Sequence, residues 1–219
     1  NPWPTPIAGS ADTNGSGLAG WPFWTSFCGR RIGPPIRAKP ITGKDRTMSE
    51  SFGTLGEQDT LTIRRRLPGP VERVWAHLTD SDLRGRWLAE GTMELRVGAP
   101  FALTWRNDEL TDPPGAQPED VSAEQTMAST LTEVEPLRRL SFTWDGSGEV
   151  TFDLVPAGKD VILTVTHRRL PGRGMKLDVS AGWHTHLDIL ADLLAGRPPA
   201  PFWDRWQKLR ADYEGRRPA

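Results

Sequence analysis

Apolar and polar positions alternate in Leu61-Thr62-Ile63-Arg64-Arg65-Arg66-Leu67, which predicts a half-buried strand. Pro68-Gly69-Pro70 stops it, and Val71, Val74, Trp75 and Leu78 then recur at helical spacing. A proline at the start and an apolar stripe agree on a helix beginning near Pro70. Thr79-Asp80-Ser81-Asp82 supplies a break and a new N-cap, predicting a short second helix toward Trp87-Leu88. Period two then returns. Strands are expected through Met93, Leu95 and Val97, through Phe101, Leu103 and Trp105, and from about Gln125 to Val134. Further strands are expected at Leu140, Phe142 and Trp144, at Val150, Phe152 and Leu154, and at Val161, Leu163, Val165 and His167. Asp145-Gly146-Ser147-Gly148 and Ala157-Gly158-Lys159-Asp160 are hairpin signals, so the strands should form an antiparallel meander.

Ser180 is the expected cap of a long helix with Trp183, Leu187, Leu190, Ala191 and Leu194 on its stripe, ended by Gly196. After a proline-rich spacer, Phe202, Trp206, Leu209 and Tyr213 fall on one face of a last helix, with Asp204 and Lys208 spaced to pair. Helices segregated from one antiparallel sheet define an α+β fold. The expected form is a curved sheet of about six to seven strands wrapped around the long helix, with an extra terminal helix. Such an arrangement leaves an apolar cavity between sheet and helix, a usual place for a small ligand.

Composition divides the 219 residues unevenly. Residues 1–47 hold seven Gly, seven Pro and six Lys/Arg against two Asp/Glu. This stretch lacks either period and is expected to be a disordered tail or a non-native extension, with Met48-Ser49-Glu50 as a natural start. Residues 48–59 are the expected linker, 60–195 the domain, and 196–219 the spacer and last helix. No run approaches the roughly 20 apolar residues of a membrane helix, and the first stretch lacks the apolar segment of a secretory leader. Cys28 is the one cysteine, so no disulfide forms within the chain and a reducing cytoplasm is the expected setting. A net charge of −1 gives no general attraction to nucleic acid.

Four stretches in order carry a family signature: Pro70 to Leu88 with Val74-Trp75, Leu131-Thr132-Glu133-Val134-Glu135-Pro136 leading to Leu140-Ser141-Phe142-Thr143-Trp144, Val165-Thr166-His167-Arg168-Arg169-Leu170-Pro171, and Gly182-Trp183 to Leu190. Together they resemble the activator-of-heat-shock-protein-90-ATPase homologue family of the START-like superfamily, which has the helix-grip fold. The resemblance spans about residues 60–195. It implies a hydrophobic cavity under the long helix and does not imply one reaction, because members of the superfamily bind lipids, sterols or polyketides, cyclise polyketides, hydrolyse small molecules or regulate chaperones.

The candidate lining is Trp87, Leu95, Phe101, Leu103, Trp105, Met127, Phe142, Trp144, Phe152, His167, Met175, Trp183 and Leu187. The indoles either line the cavity or simply fill it. His167 continues the inward face of its strand; it either binds a ligand carbonyl, serves as an acid or base, or is a strand-end histidine bonded to a neighbour such as Trp183. His184 and His186, two apart on a helix, cannot share a metal and are expected at the rim or in solvent. Arg168 and Arg169 either hold a carboxylate at the mouth or are solvated, and Asp153 falls on the outer face. Glu90 and Glu94 form no pair with catalytic geometry. GxxxxGK phosphate loops and GxSxG elbows are absent from the sequence, and no metal or cofactor is expected. Three functions remain: binding a small hydrophobic or aromatic molecule, cyclase or hydrolase chemistry at His167, and protein binding or homodimerisation through Phe202, Trp206 and Tyr213, a stripe that otherwise only docks on the body. Residues 107–120, acidic and rich in proline, are the expected lid.

Overall fold

The computed structural model describes residues 52–56, 59–119 and 121–216; the tail expected over residues 1–47 lies outside them. The chain forms β1 (Thr54–Leu55), β2 (Leu61–Pro68), α1 (Val71–Thr79), α2 (Ser81–Gly85), β3 (Pro100–Trp105), β4 (Gln125–Glu135), β5 (Arg139–Trp144), β6 (Gly148–Ala157), β7 (Asp160–Arg168), α3 (Arg173–Ala195) and α4 (Phe202–Gly215). The seven strands make one antiparallel sheet in the order β1-β2-β7-β6-β5-β4-β3. β3 to β7 form a meander, and β2 closes against β7, so the start of the domain meets the last strand. This is the expected α+β, helix-grip arrangement.

Register explains why one face of this sheet is apolar. Ile63 lies opposite Val165, Leu67 opposite Val161, and Leu61 opposite His167. On β5 and β6, Phe142 is opposite Val150 and Leu140 opposite Phe152. Because side chains alternate strictly in a strand, these pairs put the buried apolar residues of β2, β5, β6 and β7 on one side, while buried Ser141 and Thr151 pair with each other on the other. α3 lies across that side, and the core between them is continuous.

Four elements differ from expectation. Residues 91–99 form turns rather than a strand, and Leu95 and Val97 are exposed. The backbone here closes on itself and on β4: Arg96 N bonds Glu94 O, Ala99 N bonds Arg96 O, and Gly98 N bonds Leu131 O. Gly91 has φ 141°, and a Cβ there would fall 1.8 Å from Ala102 O, so only glycine fits. α2 stops at Gly85, leaving Trp87 and Leu88 buried in the following turn. α3 begins at Arg173, so Ser180 is an interior residue and not the cap. Thr54–Leu55, inside the stretch taken as linker, adds an edge strand.

The last helix takes the docked alternative. Phe202, Trp206, Leu209 and Tyr213 are all buried against the body of the same chain. Their stripe covers the side of α3 that faces away from the sheet, so it is not a free surface for a partner or a second copy. The spaced pair Asp204 and Lys208 is not joined either; Asp204 Oδ1 accepts from the backbone N of Ala116, 3.0 Å away.

Candidate functional site

The inward face of the sheet is aromatic at its β5, β6 and β7 end. Trp144 is opposite Gly148. With no side chain at Gly148, the Trp144 indole reaches the His167 ring at 4.9 Å. A Cβ on Gly148 would lie 2.4 Å from Trp144 O. Trp183 descends from α3 into the same space, 5.6 Å from Trp144 and edge-on to Phe152 at 5.7 Å. Phe142 joins Phe152 at 5.6 Å and Phe101 at 5.7 Å. Trp105, half-buried, meets Trp144 at 5.5 Å. These edge-to-face arrangements are the ones that ring quadrupoles favour.

His167 is the polar group in this wall and is 1% exposed. The Trp183 indole N–H donates to its Nδ1 over 3.1 Å. An indole nitrogen can only donate, so Nδ1 must carry the lone pair and Nε2 the hydrogen. Among the described residues, Nε2–H has no hydrogen-bond partner. Burial pushes the His167 pKa down to about 3, so the ring is neutral at physiological pH.

Most of the sequence-predicted lining comes together. Trp87, Leu103, Phe142, Phe152, Trp183 and Leu187 are buried in one cluster with Phe101 and Trp144, and Trp105, Met127 and Met175 are partly buried against it. Trp87 lies 6.5 Å from Phe152 and donates its N–H to His77 O at 2.9 Å. Leu95 is the exception: at 43% exposure in a turn, it lies outside the cluster.

The polar candidates on the outer surface are paired with one another. Arg168 bonds Glu149 at 3.0 Å, Arg169 donates to Ser147 O, and Asp153 accepts from Arg139 at 2.6 Å. Glu90 pairs with Arg106 and Glu94 with Arg96. Among the described residues, no three His, Cys, Asp or Glu side chains gather as metal ligands.

His184 and His186 were expected at the surface and are instead buried, because α4 covers them. His186 Nδ1 donates to Trp87 O at 2.7 Å, and its ring packs on Phe202 at 5.1 Å. His184 Nδ1 meets the Tyr213 hydroxyl at 3.2 Å, and that hydroxyl also accepts from Gly53 N at 2.8 Å. Burial pulls both pKa values down, to about 2 for His184, where the guanidiniums of Arg65, Arg205 and Arg216 add to the effect, and to about 4 for His186. Next to His184 is a buried ionic group that the sequence reading missed. Asp188 is 3.4 Å from Arg65 and 2.5 Å from Arg205. The signal was present: Arg65 occupies an inward position of the β2 alternation, where an arginine needs a buried counter-ion.

The same architecture occurs in solved structures. A protein of Bordetella parapertussis, determined by solution NMR, is 38% identical over 82% of this chain and 97% of that one, with a TM-score of 0.65. CalU16 from Micromonospora echinospora shares 24% identity over 75% of this chain and 93% of its own, with a TM-score of 0.54. A conserved protein of unknown function from Enterococcus faecalis shares 19% over 74% and 87%, also at 0.54, and these last two likenesses speak to the fold alone. No curated protein matches. The family model described as Activator of Hsp90 ATPase homolog 1-like protein matches residues 68–195, from the end of β2 to the end of α3. That span is more than half of the chain, and with the Bordetella likeness it establishes that the chain belongs to the Activator of Hsp90 ATPase homolog 1-like family.

Proposed function

We propose that this protein binds a small hydrophobic or aromatic molecule between the aromatic face of the sheet and α3, in a reducing cytoplasm. The family commonly binds hydrophobic ligands. The observation that carries the reading is the aromatic wall itself: it runs from buried Phe152 and Trp183 through Trp144 to half-buried Trp105. A wall that passes from buried to half-buried rings suits an apolar guest. Met127 and Met175, half-buried on the same cluster, give adaptable lining.

Binding is favoured over acid–base chemistry at His167. An effective general acid or base has a pKa near the working pH, and this ring takes a proton only near pH 3. Chaperone regulation through the terminal helix loses its support, since Phe202, Trp206 and Tyr213 are buried at home. A thermal-shift screen with lipids, polyketides and aromatic acids tests the proposal. A rise in melting temperature with one of these classes is expected; no rise with any of them, together with a crystal structure showing a solid interior, overturns it.

A further inference from the structure

We infer that the site is built for a neutral ligand carrying a hydrogen-bond acceptor, an aromatic ketone or quinone, whose oxygen takes the free Nε2–H of His167. This rests on the binding reading above and narrows it to a chemical class.

The orientation of His167 is the starting point. Its Nδ1 is held by the Trp183 indole, so the ring can present only a donor to whatever lies beyond it. A phenylalanine would fill much the same space without presenting that donor, so the histidine marks a polar point in the wall. A second buried polar group lies on the same helix face as Trp183, one turn earlier: Ser180 is fully buried, and its Oγ has no partner among the described residues. Ser180 and His167 are the two polar side chains next to Trp183, one along the helix and one across its hydrogen bond, in a wall that is otherwise aromatic.

Charge settles the ligand class. A carboxylate would have to shed its water here and would need a cation. The arginine on the inward face, Arg65, is already joined to Asp188, and Arg168 and Arg169 are exposed outside. An ammonium would meet the positive end of the Nε2–H dipole. A neutral carbonyl on a flat ring system satisfies both parts, its oxygen on Nε2–H and its rings against Trp144 and Trp183.

Equilibrium dialysis of the full chain against three probes of one shape tests this: fluorene, 9-fluorenone and fluorene-9-carboxylate. Fluorenone is expected to bind about tenfold more tightly than fluorene, as one added hydrogen bond implies, and the carboxylate least. His167→Phe should abolish the preference, so that fluorenone and fluorene bind that variant equally. Fluorene and fluorenone binding equally, or the carboxylate binding best, overturns the carbonyl preference while the pocket itself stands. Retention of none of the three overturns both. Ring-nitrogen NMR of the unaltered chain is the check that needs no variant: Nε2 should carry the hydrogen, and a proton on Nδ1 overturns the inference.

Discussion

Trp183 on α3 and His167 at the end of β7 are joined by one hydrogen bond, indole N–H to Nδ1, 3.1 Å long and buried. It fastens the long helix to the sheet at the aromatic wall and fixes which nitrogen of the histidine is free. Trp183→Phe removes the donor and orphans Nδ1. A loss of about 1–3 kcal/mol of stability is expected from the unsatisfied group alone, read as a lower urea midpoint. An unchanged midpoint would mean that the bond holds nothing in place.

Arg84 is a structural hub of the α1–α2 region. Its guanidinium donates to the carbonyls of Leu78 and Thr79 at 3.2 Å, to Ala89 at 3.1 Å, and to Gly91. Arg84→Met leaves these carbonyls buried without donors, and a loss of about 3 kcal/mol or more is expected. Lysine has no planar fork to reach several carbonyls together, so Arg84→Lys should recover only a minor part of that loss in denaturant titrations.

Asp188 and Asp160 each pair with an arginine in very different surroundings. Asp188→Asn strips the counter-charge from buried Arg65, for which about 3–5 kcal/mol is the usual cost. Asp160→Asn breaks the exposed pair with Arg66, 3.1 Å long, and should cost under about 1 kcal/mol. Burial pushes the Asp188 carboxyl up and the Arg65 guanidinium down, the two arginines opposing the first shift and Asp188 the second. Equal midpoints for the two variants would contradict this assignment.

Stability should fall in acid, and the histidines set where. His167, His184 and His186 have folded pKa values pulled from 6.5 to about 3, about 2 and about 4. Below pH 6.5 the unfolded chain takes protons that the folded chain refuses, so stability is lost as pH drops, by up to about 1.4 kcal/mol per pH unit for each histidine. Asp178 and Asp188, whose carboxyls are raised by burial, work in the opposite sense at the acid end, so the fall is steepest about one pH unit below 6.5, where the unfolded histidines are mostly charged. Urea midpoints measured through that window should drop; a flat or rising profile would show that the histidines already exchange protons in the folded chain.

Much of the sheet was legible because β2 and β5 to β7 each bury one face, and alternation then reveals strand and inward residues together. Phe142, Trp144, Phe152 and His167 were placed this way, and Trp183 followed from the helix stripe. The failures share one cause: long-range partners. Met93, Leu95 and Val97 alternate, but the chain there turns, held by Gly98 N on Leu131 O of β4. His184 and His186 face away from the sheet, and only the docking of α4 turns that side into interior. Ser180 has the chemistry of a cap, yet Leu177 and Asp178 carry α3 seven residues further back, with Asp178 bonded to Arg210 of α4.

The central claim is that a guest sits against Trp144 and Trp183 with its acceptor on His167. Following the indole N–H signals of both tryptophans and the His167 ring nitrogens by NMR during titration with 9-fluorenone tests it most directly. Saturable shifts of Trp144, Trp183 and His167 Nε2 at a single affinity are expected. Saturable binding that leaves those three unmoved, or no binding at all, would contradict the account.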